Sequence, residues 1–316
     1  MNDFTRIRVT ALAGGVGGAR LAHGLAQMLP PENFSVVVNT GDDFEHLGLK
    51  ICPDMDTVMY TLAGVANPQT GWGLAGESFH CLETLKQLGG PDWFHLGDRD
   101  LATHLYRTAG LHAGQSLTTV TAELSRRWGC HPALLPMSDD IVRTRVVTDA
   151  GEMDFQEYFV HQGWQPRLQS IRWTGDAHPQ PTEAVLQALE SADLIILCPS
   201  NPFVSIDPIL NLPGVRSMIS RKVTVAISPI IGGQAVKGPA AKMFTELGMV
   251  PSALAVAEYY RDILCGFVFD KQDADLLEPI HNTGLTATCM PTLLVDAAAR
   301  KKIAAAVLEF AVQLAR

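Results

Sequence analysis

The chain has 316 residues, 47% of them hydrophobic and 18% charged, a length near the upper limit for one core and a composition that excludes extensive disorder. Its formal net charge of -9 excludes a general nucleic-acid binder, whose affinity would come from many Lys and Arg contacts to phosphate. No stretch approaches the ~20 apolar residues of a membrane span, and the start "MNDFTRIRVTALAGG" lacks a secretory pattern, so a cytoplasmic address is expected. The six cysteines, at 52, 81, 130, 198, 265 and 289, form no C-x-x-C pair and read as reduced thiols without structural zinc.

Apolar runs alternate with helical patterns, the mark of a parallel sheet with crossover helices. "RIRVTALAG" predicts a first strand, "ARLAHGLAQML" its helix and "FSVVVNTG" a second strand. Between about 54 and 130, "DTVMYTLAGV", "ESFHCLETLKQLG", "DRDLATHLYRTAG" and "SLTTVTAELSRRWG" space apolar residues by three and four, predicting a helical insertion that forms a lesser subdomain. "ALLPMS" predicts a strand and "RTRVVTDAGEMDFQEYFVHQ" a hairpin, followed by the helix "PTEAVLQALESA". Further strands fall in "DLIILCPS", "KVTVAISPI" and "GFVFD", and an Ala-rich helix closes the chain. The expected class is α/β: a Rossmann-like, mostly parallel sheet with flanking helices, within one large domain over residues 1–316.

The junction "ALAGGVGGARL" puts Gly14, Gly15, Gly17 and Gly18 between the first strand and its helix. Without Cβ atoms, their backbone can approach an anion while the helix offers its positive end. The G-K-[ST] ending of a Walker loop is absent, and the G-x-G-x-x-G match is loose. A tight strand-to-helix turn with no ligand is the plainer alternative. Asp42 and Asp43 follow the second strand at the carboxyl edge, where open α/β sheets bind ligands. Asp54 and Asp56 follow in "CPDMDT"; Asp54 reads equally as a helix N-cap. Carboxylates from two loops beside a phosphate-binding turn suit Mg²⁺. "LGDRDLATH" lets Asp100 and His104 meet on one helix face, which on a partly exposed surface is a weak pair. Arg107, Arg126, Arg127 and Arg143 read mostly as solvated charge. Ser138, Asp139, Asp140, Ser200, Asn201, Ser205 and Ser228 recur where apolar strands stop.

Taken together, "GGVGG", "VVNTGDD", "PDMDTVMYTLAG", "LGDRDLATH", "LPMSDD", "PSNPFVSIDPIL", "SPIIGG" and "GPAAKM" resemble the 2-phospho-L-lactate transferase family of coenzyme F420 biosynthesis, from about residue 8 to 270. The resemblance implies a Mg²⁺-dependent transferase. The ribityl hydroxyl of the deazaflavin Fo attacks the phosphate nearest the organic acid in a guanosine diphosphate conjugate such as lactyl-2-diphospho-5'-guanosine (LPPG), and GMP leaves. The acid is phospholactate, phosphoenolpyruvate or phosphoglycerate. By this resemblance Asp56 matches the Fo-contacting aspartate and, with Asp54, forms the catalytic pair; Asp42, Asp43 and Asp56 hold the metal. Gly14, Gly15, Gly17, Gly18, Thr40, His95, Asp98, Ser138, Ser200, Asn201, Ser205 and Ser228 bind the substrates, with His95 standing where some relatives have lysine. The implied partners are these two small molecules, with no nucleic acid or membrane, in a chain compatible with a homodimer. A nucleotide-sugar-binding regulator of the gluconeogenesis-factor type is the alternative, disfavoured by the intact "PDMDT". A nicotinamide-dependent oxidoreductase is disfavoured by the glycine spacing.

Overall fold

The computed structural model describes residues 4–315. Seven strands form the central sheet: β1 (Val9–Ala13), β2 (Phe34–Val38), β3 (Ala133–Pro136), β4 (Leu194–Leu197), β5 (Val223–Ile227), β6 (Gly266–Asp270) and β7 (Thr286–Met290). All pair in parallel, in the order β7-β6-β5-β4-β1-β2-β3. The chain winds outward from β1 in one direction, then returns to the other side of β1 with β4. The resulting switch point between β1 and β4 is where such a sheet opens a crevice for ligands.

Parallel strands are covered on both faces and therefore read as nearly continuous apolar runs. Leu12, Val37, Ile195, Leu197 and Ala226 point into one core; Val9, Ala11, Val36, Val38, Ile196 and Val225 point into the other. The second core is closed by α1 (Gly15–Ala26), α2 (Pro53–Leu62) and the terminal helix Ala297–Leu314. Gly24 of α1 lets the terminal helix come close, since a Cβ there would lie 2.3 Å from the Arg300 carbonyl oxygen.

The other expected helices also form: α3 (His80–Gln87), α4 (Asp98–His112), α5 (Leu117–Trp128) and α6 (Glu183–Ser191). The expected hairpin pairs Val142–Thr148 with Gly151–Asp154. A third strand, Leu168–Gly175, extends it, while Glu157–His161 is helical where the sequence suggested a continued hairpin. Several elements were not anticipated, a seventh sheet strand and a second hairpin among them. β7 is a half-exposed edge strand, "TATCM", without an apolar signature. The hairpin of Phe44–His46 and Leu49–Ile51 turns at Leu47 and Gly48, both at positive φ. That backbone suits a tight hairpin turn, but Leu-Gly lacks the usual Asn-Gly signal. All six cysteines are free.

Candidate active site

The end of β1 and the loop after β4 meet at the switch point, and the glycines make the meeting close. A Cβ on Gly17 would lie 2.3 Å from the Pro199 carbonyl oxygen, and one on Gly18 would lie 2.5 Å from Ser200 Oγ. Ser200 Oγ accepts from the Gly14 N–H at 3.1 Å and donates to the Gly14 carbonyl at 2.8 Å. Gly15 adopts φ +60°, a left-handed conformation that favours glycine. Packing against residues 199–205 thus explains Gly14, Gly17 and Gly18 without a ligand.

Asp54 lies in the first turn of α2, after Pro53, yet it caps a different helix. Its Oδ1 accepts from the Gly15 N–H at 2.7 Å, at the start of α1, and its Oδ2 accepts from Asn39 Nδ2 at 2.9 Å. Ser205 also bonds to it. A carboxylate at the start of α1 is stabilised by the helix dipole. The amides of Val16 and Gly17 begin the same helix and have no intrahelical acceptor.

Asn39 organises the end of β2. Its Oδ1 accepts from the Gly41 N–H at 2.8 Å, and its Nδ2 also reaches the Val204 carbonyl at 3.0 Å. This turn delivers Asp42 and Asp43 into the interior, where each is about 95% buried, at 5% and 4% exposure. Asp43 Oδ2 meets Lys50 Nζ at 3.1 Å and accepts from Cys52 Sγ at 3.0 Å. Its Oδ1, the Oδ1 of Asp42 and the hydroxyl of Thr40 are buried without a hydrogen-bond partner. Burial, then the Asp54 charge, drives the Asp42 carboxyl well above the usual carboxylate range. Burial raises Asp54 to about 6 against its hydrogen bonds to Asn39 and Gly15.

Two inward-facing carboxylate oxygens without donors, in a cluster whose charges repel, fit a hard divalent cation. Among the described residues, no three His, Cys, Asp or Glu side chains form a complete metal cage. Mg²⁺ does not require one, because it commonly takes one or two carboxylates and completes its shell with water and ligand phosphates.

Asp56 has different surroundings. Arg107 of α4 engages both of its oxygens, one at 3.1 Å and the other at shorter range, and His104 Nδ1 stands 3.7 Å away. Its ionisable neighbours are Arg107, His104 and Asp100. Where the sequence suggested a third metal ligand, the fold gives Asp56 an internal cation. Arg107 itself corrects the reading of a solvated charge, since it is 1% exposed. Asp100 and His104 do meet, at 3.4 Å, but His104 is buried rather than partly exposed. Tyr60 of α2 donates to Asp100 at 2.7 Å, so the buried chain ties α2 to α4. Residues 100, 104 and 107 share one face of α4, a spacing by which Arg107 was recognisable.

Beside Asp43 and Lys50 opens a cleft of about 290 Å³. Phe44, Leu111, Leu117, Ile141 and Val142 give it apolar walls, and Thr40, Asp43, Lys50, Asp139, Asp140 and Arg143 give it a polar rim. Phe44 is braced edge-on by Phe94, with ring centres 4.9 Å apart.

The remaining expected residues have more local surroundings. Ser138 Oγ donates to the Gln180 carbonyl at 2.5 Å, and Ser228 Oγ closes a turn with Ile230. Asn201 Oδ1 accepts from the Phe203 N–H at 3.0 Å. Asp98 accepts from Ser78 Oγ and from the amides of His80 and Cys81, fixing the start of α3. His95 is exposed.

Strand order, switch-point crevice and buried acid cluster define a Rossmann-like α/β protein. Its fold resembles that of a Bacillus halodurans protein of the UPF0052 family, with a TM-score of 0.62 at 15% identity, covering 96% of this chain and 99% of the other. The chain belongs to the 2-phospho-L-lactate transferase CofD family, whose profile matches residues 9–287. It is similar to a phosphoenolpyruvate transferase of Streptomyces griseus, 43% identical over 96% of this chain and 98% of that one. It is also similar to a 2-phospho-L-lactate transferase of Methanosarcina mazei, 38% identical over 94% of this chain and 98% of the other. Among the described residues no helix is long and apolar enough to cross a membrane.

Proposed function

We propose that this protein transfers a phospho-three-carbon-acid group from a guanosine diphosphate conjugate to the ribityl hydroxyl of Fo, releasing GMP. The observation that carries the reading is the pair of donor-less, buried oxygens on Asp42 and Asp43, set between the glycine loop and the cleft. The higher identity to phosphoenolpyruvate transferases favours phosphoenolpyruvate as the acid.

Asp42 and Asp43 would hold Mg²⁺, which when bound neutralises charge on the diphosphate. The amides of Val16 and Gly17 at the start of α1 orient the nucleotide half, and the apolar walls around Phe44 and Ile141 receive the planar ring of Fo. Lys50, paired with Asp43, stands at the cleft to meet developing negative charge on the transferred phosphate. Asp54, poised near 6, is placed to accept the proton of the attacking hydroxyl while holding the start of α1. Asp56, neutralised by Arg107, positions α2 and thereby Asp54. Phosphoryl-type transfer of this kind asks for placement and charge stabilisation rather than a covalent intermediate.

Incubation with Fo, Mg²⁺ and each of the three guanylyl conjugates, followed by mass spectrometry, is expected to yield GMP and one matching deazaflavin phosphodiester. Absence of GMP with all three overturns the reading.

The raised Asp54 carboxyl also gives a pH dependence. Because its folded-state value lies above its ordinary one, its contribution to stability is complete below about pH 4 and is lost as pH rises through about 6. Asp42, one of the two residues that would hold the cation, is raised too, by burial and then by Asp54, and cations require the deprotonated carboxylate. The Mg²⁺-induced rise in Tm is therefore expected to be near zero at about pH 5 and to grow to about pH 7. An equal rise at both ends would contradict it, as read by thermal denaturation in EDTA and in Mg²⁺.

A further inference from the structure

Three cations lie along the flank of α1, none of them used above as a charge, with Arg20 near enough to act on each of the other two. Arg20 lies in α1 one turn beyond Val16, Arg300 in the first turn of the terminal helix, and Lys237 in the loop after β5. The loop of residues 67–74 holds Arg20 and Lys237 from outside, while Gly24 of α1 lets the backbone of Arg300 pack against the same helix. A Cβ on its Gly71 would lie 2.7 Å from Val16 Cγ1 and 3.5 Å from Arg20 Nη2, and its Thr70 carbonyl accepts from Lys237 Nζ. The Nε atoms of both Arg20 and Arg300 are buried without a hydrogen-bond partner. Among the described residues no carboxylate forms a salt bridge with any of the three. Asp296, the one acid whose charge acts on Arg300, caps the terminal helix through the Ala299 N–H at 2.8 Å.

The proximity of Arg20 disfavours the charged forms of its two neighbours. Burial, then Arg20, lowers both Lys237 and Arg300, and burial, then Arg300, lowers His23. In a chain of net charge -9, bringing three positive groups together from three distant segments is unfavourable without an anion to neutralise them. The planar forks of two arginines and the mobile ammonium of a lysine match the oxygens of a phosphate or carboxylate.

We propose that Arg20, Lys237 and Arg300 form an oxyanion site that works without metal and is distinct from the Asp42–Asp43 cluster. It takes a phosphate-class anion on the flank of α1, so that donor recognition is divided between a cation-dependent site and a cation-independent one. The assignment rests on the transferase reading only for the source of the anion: the phosphate of the nucleotide half or the charged group of the acid half.

Calorimetric titration in EDTA at low salt, with inorganic pyrophosphate as the probe, tests the site directly. Arg20→Gln, Lys237→Gln and Arg300→Gln are each expected to raise Kd about tenfold, a loss of ~1.4 kcal/mol, while Arg20→Lys retains most of the affinity. GMP and phosphoenolpyruvate, titrated separately, identify the source as whichever loses affinity in the same variants. Pyrophosphate that fails to bind the wild-type protein, or that binds three folded Gln variants as tightly as wild type, overturns the site. Metal-free binding that the variants weaken upholds it even if no conjugate is turned over, in which case the transferase reading alone fails.

Discussion

Asp42→Asn and Asp43→Asn are each expected to reduce kcat by about 10³-fold, a loss of roughly 4 kcal/mol of transition-state stabilisation, while Asp42→Asn raises Tm. The two signs come from one arrangement. Asp42 is buried, lies beside Asp54 and Asp43, and offers an oxygen that no protein donor meets. In the metal-free protein its charge is a liability, and the neutral amide of the same shape removes the repulsion. Under the proposed function the same charge would hold the cation that neutralises the diphosphate. Asp43 differs because Lys50 and Cys52 already engage one of its oxygens, so its Asn variant strands Lys50 and should not gain stability. Paired thermal melts and single-turnover assays check both claims. A fully active Asp42→Asn enzyme would contradict the account.

Arg107→Met is expected to be the most destabilising single change, by about 3–5 kcal/mol, because it leaves Asp56 buried without its cation. For a chain of this size that corresponds to a fall in Tm of roughly 10 °C. Removing both charges in Arg107→Met/Asp56→Leu should recover much of the loss, since replacing a buried pair by apolar groups is often neutral. The double variant would still be impaired in turnover: Arg107 also reaches the Lys50 carbonyl at 3.4 Å, and Asp56 sits two residues from Asp54 on α2. Thermal melts of the two single variants and the double give the coupling energy. Additive losses would show that the pair does not act as a unit.

How much of this was readable beforehand depends on the kind of signal. β1, β2 and β4 were legible because strands covered on both faces read as nearly continuous apolar runs, as "VTALA", "FSVVV" and "LIIL" do. β7 was not, because an edge strand with one open side tolerates Thr and Ala. The acids were legible as types at the carboxyl edge, but their partners were not. Spacing on α2 treats Asp54 and Asp56 alike, whereas the fold turns Asp54 toward the start of α1 and Asp56 toward α4. Arg107 lay within reach of helical periodicity, seven residues from Asp100 and three from His104, yet an arginine in a polar helix reads by default as surface charge. The Arg20, Lys237 and Arg300 cluster had no such signal, since its members lie on three segments that only the tertiary fold brings together. Asn39, which braces Gly41, Asp54 and Val204 at once, was hidden inside "VVVNTGDD" for the same reason.

The central claim is that Asp42 and Asp43, through one divalent cation, hold a nucleoside diphosphate at the β1–β4 crevice. Crystals soaked with Mn²⁺ and GDP, measured at the manganese absorption edge, test it most directly. The account predicts one strong anomalous peak within bonding distance of Asp42 and Asp43 oxygens and of a GDP phosphate. A peak bound by Asp56 with Arg107 displaced, or GDP ordered at the glycine loop with no peak beside it, would contradict it.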